Sequence, residues 1–178
     1  MSEKAKRAKA AHKMVGTKEQ QEADKKELSF AKKVGGASFK NSEPVDVVIA
    51  GKDGRVAHGV EHKYMFDNAN DKITMNKYAQ VRKIVWEQQN KADFHTVVET
   101  KSGDTFYRRG VGSFRTGGMH KVTGGEKELK KLMNTPDAQL PQGAQRTDAK
   151  LRQGTWKPLK DSRGFVNSKT GEQVFPKK

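Results

Sequence analysis

The chain has no cysteine, few aromatic residues (7 %) and no long apolar run. The absence of cysteine excludes disulfides and thiolate metal sites, and it fits a reducing compartment. No segment approaches the ~20 apolar residues that a membrane span needs, so we expect no membrane partner. The first residues, MSEKAKRAKAAHK, are basic but no apolar segment follows them, which argues against a secretory signal.

Apolar residues are also scarce, at 33 % of the 178 residues. A fully packed chain of this length usually contains more, so we expect a core of about 90–110 residues with poorly ordered ends. The sequence is accordingly divided into three parts. They are a basic N-terminal tail over 1–17, an α/β domain over 18–133, and a basic linker and tail over 134–178. In the last part TWKPL and FVNSKTGEQVF are either short strands or segments that become ordered only on a partner.

Positive charge is in excess and is concentrated at the two ends. The chain carries 36 Lys and Arg against 21 Asp and Glu, a net charge of +15. Residues 1–40 and 146–178 each carry +6, whereas 41–145 carry only +3. Basic arms around a nearly balanced core favour a polyanionic partner, which here indicates nucleic acid, with DNA favoured over RNA. The alternative is a basic protein that binds an acidic partner.

The hydrophobic pattern predicts an α/β fold. Thr17 is a plausible N-cap and Gly35 a plausible stop for the first helix. Predicted helices cover 18–34, 77–90 and 125–133, and predicted strands cover 44–51, 56–66 (as one strand or a bulged pair) and 94–100, with a hairpin strand over 105–111. Loops are predicted over 67–76 and over 112–118 (GSFRTGG). The core order helix, strand, strand, strand, helix, strand is typical of a three-layer α/β architecture.

One constellation on these strands carries chemistry. Glu61 and Lys63 are two residues apart on a predicted strand, so their side chains point to the same side. Asp46 lies on the preceding strand and can approach Glu61 if the two strands are neighbours. Two carboxylates suit Mg²⁺, and a nearby lysine can hold or polarise an attacking water. The three residues therefore predict a phosphodiesterase site.

The arrangement resembles the PD-(D/E)xK superfamily, which includes restriction endonucleases and archaeal-type Holliday-junction resolvases. Pro44-Val45-Asp46 matches its first motif and Glu61-His62-Lys63 its second, and the resemblance covers about residues 18–100. It implies an αβββαβ core, here with an added β-hairpin and basic, partly disordered termini. It also implies that Asp46 and Glu61 bind Mg²⁺ or Mn²⁺, that Lys63 activates water, and that a homodimer is a plausible assembly.

Some members of the superfamily add an acid from the first helix, and Glu27 is the candidate here, with Glu22 and Asp24 as rivals. The motif is short, and other (D/E)-x-Lys triplets begin at Asp24, Glu99, Glu128 and Asp148. Only Glu61 has an aspartate-bearing strand before it and an amphipathic helix after it. The middle residue is usually apolar in this family, whereas here it is His62. That departure predicts either a core histidine bonded to a carbonyl or a copy that keeps the fold without activity.

Basic and aromatic residues surround the predicted site. The stretch 106–115 has three arginines and three aromatics among glycines, which suits phosphate binding and base stacking. An ordinary hairpin, with aromatics in the core and arginines in water, is the alternative. Lys72 and Lys83 are further residues for the same side. The residues assigned to nucleic-acid binding are Lys77, Arg82, Arg108, Arg109 and Arg115.

A second resemblance extends from NDKITM to FYRRGVGSFR and is to domains of bacteriophage head-morphogenesis proteins. It implies a phage or prophage origin, and so the bacterial cytoplasm or the virion as location. We therefore predict a metal-dependent endonuclease. The first alternative is a non-enzymatic virion protein that binds nucleic acid or phage structural proteins. The second is a metal-independent ribonuclease toxin in which His95, Arg108 and Arg109 perform acid–base chemistry.

Overall fold

A computed structural model describes residues 17–38, 44–65 and 72–177. The predicted N-terminal tail, apart from Thr17, and residues 67–71 of the predicted loop over 67–76 lie outside these ranges. Within them the protein is a mixed α/β structure with three α-helices and a mixed six-stranded sheet. In chain order the elements are α1 (Lys18–Val34), β1 (Ala37–Ser38), β2 (Val47–Ala50), β3 (Val56–Met65), β4 (Lys72–Ile73), α2 (Lys77–Asn90), β5 (Asp93–Thr100), β6 (Thr105–Arg109), β7 (Phe114–Arg115), β8 (His120–Val122), α3 (Gly125–Met133), β9 (Trp156–Pro158), β10 (Phe165–Asn167) and β11 (Gln173–Val174).

The three predicted helices are confirmed at their predicted bounds. At the start of α1 the Thr17 side chain accepts a hydrogen bond from the Gln20 N–H, which satisfies a donor that the helix itself leaves unpaired. Gly35 ends α1 in the left-handed region, with φ at 72°, where glycine avoids the steric cost of a Cβ atom. Asn76 caps α2 in the same way, by accepting from the Ala79 N–H.

The main sheet has the strand order β1-β2-β3-β5-β6-β8. β3 and β5 are parallel, and α2 is the crossover between them, whereas the other neighbouring pairs are antiparallel. The segment 56–66 was predicted as one strand or a bulged pair, and β3 is a single strand over Val56–Met65. Helices α1 and α3 pack on one face of the sheet and α2 on the other.

The C-terminal part differs from the predicted linker and tail. Residues 134–177 contain two short 3₁₀ turns and a three-stranded antiparallel sheet, β11-β10-β9. Trp156 is only 3 % exposed, and it belongs with Val174 to the hydrophobic cluster that contains Val81 and Ile84 of α2. A few apolar side chains at alternating positions are enough to attach this small sheet to the outer side of α2.

A second difference concerns a segment predicted as a loop. Phe114–Arg115 forms β7 and pairs with β4, in register Ile73↔Phe114. Both residues of that pair are buried, and they cluster with Val98 and Phe106. This ribbon could not be predicted, because a two-residue strand is too short to show a periodic pattern. The glycines on both sides of Phe114–Arg115 made the segment look like a loop.

Candidate active site

Asp46 lies just before β2, next to the position of Glu61 on β3. The register of β2 with β3 begins at Val47 and Val60, and the Asp46 N–H donates to the Val60 carbonyl at 3.0 Å. Asp46 and Glu61 are close enough for the charge of Glu61 to act on the Asp46 carboxyl. Glu61 itself faces α2, where it meets Lys83.

The electrostatics of Asp46 are unusual for an aspartate. Its pKa is raised to about 7, first by burial and then by the negative charge of Glu61, with a smaller effect of Glu27 in the same direction. The His62 backbone N–H opposes the rise by donating to Asp46 Oδ2 at 2.9 Å, and Lys63 opposes it as well. Two carboxylates held together against their repulsion store free energy that a bound cation would release.

Two lysines flank the Glu61 carboxylate. Lys63 Nζ lies 3.3 Å from Glu61 Oε1, as expected for neighbours on one side of β3. Lys83 Nζ approaches Oε2 from α2 at 3.6 Å, and its side chain is only 12 % exposed. Lys83 was expected on this side of the site but without a role. The sequence signal that could have identified it is its position on the buried side of α2, one residue before Ile84.

Glu27 is the first-helix acid that the structure brings toward the pair. Its charge acts on Asp46, and its Oε2 accepts a hydrogen bond from Ser38 Oγ at 2.8 Å. Glu22, one of its rivals, instead hydrogen-bonds to Tyr64. Glu27 is therefore favoured over Glu22 as the additional acid.

His62 points to the opposite face, as strand alternation predicts. Its partner there is a carboxylate and not the backbone carbonyl that we expected: Nε2 lies 3.0 Å from Glu99 Oε2. The ring also stacks on Phe30, with centroids 4.8 Å apart. His62 thus belongs to the packing between β3 and α1, while its backbone N–H orients Asp46.

The donor set at this position fits a hard divalent cation. Asp46 and Glu61 offer carboxylate oxygens, and Mg²⁺ is commonly held by one or two carboxylates with waters in its remaining positions. Within the described ranges, no group of three or more His, Asp or Glu side chains is arranged to hold an ion. A site here would thus be a two-carboxylate site.

The pKa of Asp46 predicts how Mn²⁺ binding depends on pH. Because this carboxyl must lose its proton to bind a metal, affinity should fall about tenfold for each pH unit below about 7. Electron paramagnetic resonance of free Mn²⁺ measures this between about pH 5.5 and about pH 8.5. An affinity that does not change over this range would contradict the assignment.

The five residues assigned to nucleic-acid binding occupy different environments. Arg115 is exposed on β7, and Lys77 is exposed but forms an ion pair with Glu172. Arg82 is half-buried on α2. Arg108 is half-buried and donates to the carbonyls of Gln145 and Gly118.

Arg109 is 1 % exposed, and its guanidinium donates to Tyr107, Asp137 and carbonyl groups around the end of α3. Its burial removes Arg109 from any nucleic-acid surface, whereas the assignments of Arg115 and Lys77 stay predictions. The hairpin alternative holds for the aromatics, since Phe106, Tyr107 and Phe114 are all buried.

His95 lies in a buried chain of hydrogen bonds. Arg109 Nε can only donate, so Tyr107 Oη accepts from it and gives its own proton to His95 Nδ1, at 2.6 Å. His95 Nε2 must then carry a hydrogen, which it donates to His58 Nδ1 at 2.9 Å. This fixed polarity holds His95 neutral, and burial places its pKa well below the usual value.

The same chain predicts sensitivity to acid. Below about pH 6.5 the unfolded chain protonates His95 and the folded protein does not, so the free energy of unfolding falls by up to about 1.4 kcal/mol per pH unit. The raised pKa of Asp46 acts in the opposite direction, because the folded state holds that proton below about 7.

The measurement is therefore made in the Asp46→Asn protein, by urea unfolding at about pH 6.5 and about pH 5. A variant that also carries His95→Gln should lose much of the dependence of its stability on pH. The control is His120→Asn, at a half-buried histidine that does not belong to this chain of hydrogen bonds. Equal stability at the two pH values would contradict the fixed polarity.

Comparison of the chain with models of protein families, with curated proteins and with solved structures finds no match. The resemblances to PD-(D/E)xK nucleases and to phage head-morphogenesis domains therefore stay predictions. None of the helices in the described ranges is long and apolar enough to cross a membrane.

Proposed function

We propose that this protein is a metal-dependent nuclease that hydrolyses phosphodiester bonds at Asp46, Glu61 and Lys63. The observation that carries the proposal is the proximity of the Asp46 carboxyl to the charges of Glu61 and Lys63, which lie next to each other on one side of β3. Paired carboxylates beside a lysine supply both metal ligands and a group that acts on water.

Each residue has a distinct role in this proposal. Asp46 and Glu61 hold the ion, and the His62 N–H keeps the Asp46 carboxylate oriented. Lys63 is exposed enough to meet a phosphate or a water, whereas Lys83 lies deeper and balances the charge of Glu61. A bound Mg²⁺ would supply charge stabilisation to the scissile phosphate and lower the pKa of a ligated water.

The fold supports the proposal without establishing it. Apart from β4, which pairs with β7 outside the main sheet, the elements from α1 to β5 follow the order αβββαβ, and β5 lies parallel to β3 in the sheet. That is the core order implied by the resemblance to restriction-endonuclease-like proteins. We therefore propose a restriction-endonuclease-like core, to which the hairpin strand β6 and the C-terminal sheet are additions.

The ribonuclease-toxin alternative receives no support from the geometry. Its chemistry requires His95 and Arg109 to reach a substrate, and both side chains are buried and hydrogen-bonded inside the protein. The virion alternative, with the phage origin and the location that it implies, rests on the sequence resemblance alone. It would be favoured if the protein binds nucleic acid tightly but does not cut it.

The test is cleavage of a panel of labelled duplex, branched and single-stranded DNA and of RNA, with Mg²⁺ and with EDTA. We expect cutting of DNA only with the metal, and its loss in Asp46→Asn, which should stay folded because removing the charge relieves the repulsion from Glu61. Cutting that continues in EDTA, or that survives Asp46→Asn, would overturn the proposal.

A further inference from the structure

The C-terminal sheet has an inner face and an outer face. Phe165 and Val174 are paired across β10 and β11, and both belong to the cluster that contains residues of α2. Since side chains alternate along a strand, their neighbours Val166 and Phe175 lie on the other side. We call this side the outer face, and its residues are Lys157, Leu159, Gly164, Val166, Gln173 and Phe175.

Phe175 gives this face an exposed aromatic ring. It is 52 % exposed, and Leu28, at 44 %, is the other large exposed apolar side chain within the described ranges. The ring lies against Gly164: a Cβ atom at that glycine would come within 2.7 Å of Phe175 Cδ1. The missing side chain leaves room for the ring to rest on the sheet, with about half of its surface in solvent.

Positive charge surrounds the ring. Lys157 is on the outer face itself, and Lys160 and Arg163 lie in the turn that leads to Gly164, all of them exposed. The acidic groups nearby are Asp161 and Glu172, and Glu172 is paired with Lys77. An exposed aromatic among cations matches a strand with phosphates and unpaired bases, because every base has a face that can stack.

We propose that the outer face binds single-stranded nucleic acid, with a base stacked on Phe175 and phosphates near Lys157, Lys160 and Arg163. The inference rests on the proposed nuclease function in one respect, which is that the strand bound here is the substrate that the nuclease cuts. The substrate class is then single-stranded or branched nucleic acid. The binding itself needs neither metal nor cleavage.

The structure also connects this face to the candidate active site. Tyr78 Oη, on α2, donates to the Arg163 carbonyl at 3.0 Å, and the Tyr78 ring packs on Phe165. Lys83, on the same helix, faces Glu61. A nucleic-acid strand bound to the outer face is therefore attached to the C-terminal sheet, and this sheet packs on α2, the helix that lines the candidate active site.

The experiment is fluorescence anisotropy of a labelled single-stranded oligonucleotide and its duplex, in EDTA so that no cutting occurs. Phe175→Ala should weaken single-strand binding about tenfold and duplex binding less than about twofold. Phe175→Trp should restore binding, and Leu28→Ala is the matched control at the other exposed apolar side chain. Unchanged single-strand affinity, or an equal loss for both ligands, would overturn the inference.

A charge variant provides a second and independent readout. Lys157→Gln with Arg163→Gln should reduce the slope of log K against log salt by about 1.4 for a single strand, at ~0.7 per phosphate contact. Lys127→Gln with Lys131→Gln, at exposed positions on α3, should leave the slope unchanged. If Phe175→Ala changes the sedimentation of the free protein instead of its nucleic-acid binding, the outer face is an interface between copies and the inference fails.

These outcomes separate the two proposals. Loss of single-strand binding in Phe175→Ala, in a protein that never cuts, would support the outer face and contradict the nuclease. If the protein cuts only with metal, and Phe175→Ala changes neither cutting nor binding of any substrate, the nuclease proposal is supported and the outer face is contradicted.

Discussion

Lys63→Met should bind Mn²⁺ with nearly the wild-type affinity and cut at least about a thousandfold more slowly. The reason is its position. Its ammonium group lies beside Glu61 Oε1 and is half-exposed, so it can act on a water or phosphate without being a metal ligand. Glu61→Gln should lose both binding and cutting, because it removes one of the two carboxylate charges that would hold the ion. Cleavage rates at saturating metal, with parallel Mn²⁺ titrations, separate these two effects.

Lys83→Met is the matched control for that result. Lys83 also contacts the Glu61 carboxylate, but from α2 and with little exposure, so its removal should alter metal affinity more than the rate at saturating metal. If Lys63→Met and Lys83→Met lose cleavage to the same extent, the assignment of the catalytic lysine is contradicted. If Lys63→Met retains full activity, Lys63 has no part in the chemistry.

Arg146→Met should lower the free energy of unfolding by about 3 kcal/mol, a large fraction of the stability of a small domain. The Arg146 guanidinium is largely buried and contacts four carboxylates. Its Nη2 lies 2.9 Å from Glu87 Oε2, and its Nε lies 3.0 Å from Asp137 Oδ2. Asp148 and Asp93 complete the set, at 3.3 and 3.4 Å. Removing the cation leaves the buried Asp148 carboxylate without an ion pair and leaves the buried Glu87 carboxylate with Arg152 alone, which is why the cost is high.

Urea unfolding followed by circular dichroism measures this effect. Arg146→Lys keeps the charge but not the planar fork, so its loss should be smaller than that of Arg146→Met. Lys131→Met, at an exposed position on α3, should change little. Wild-type stability in Arg146→Met would mean that residues 134–177 contribute nothing to the fold, and would favour the tail that the sequence predicted.

Local patterns in the sequence were enough for the helices, and they placed the candidate site residues near one another. Thr17 and Gly35 bound α1 through cap geometry that depends on a few neighbouring residues. Alternation along β3 put Glu61 and Lys63 on one side, and the pairing of β2 with β3 brings Asp46, just before β2, close to them. The pKa of Asp46 could not be predicted from the sequence, since it depends on how deeply the folded chain buries this carboxyl.

The C-terminal part was predicted as a linker and tail, with short strands only as one alternative, because the contacts that stabilise it are long-range. Glu87 looks like an ordinary polar residue of α2, yet it is buried by Arg146, which lies 59 residues later in the chain. Arg152 also forms an ion pair with this carboxylate, with its Nη1 2.7 Å from Glu87 Oε2. A segment rich in charge and turns resembles a tail by composition, and only the partners of its arginines show that it is folded.

The most direct test of the central claim is the position of one manganese ion, located by its anomalous scattering in crystals grown with Mn²⁺. We expect a single ion with a carboxylate oxygen of Asp46 and one of Glu61 each at about 2.1 Å, the distance typical of a small octahedral cation. We also expect the ion to be lost in Asp46→Asn crystals. Crystals that bind no ion between these two residues at saturating Mn²⁺, in a protein that still cuts nucleic acid, would contradict it.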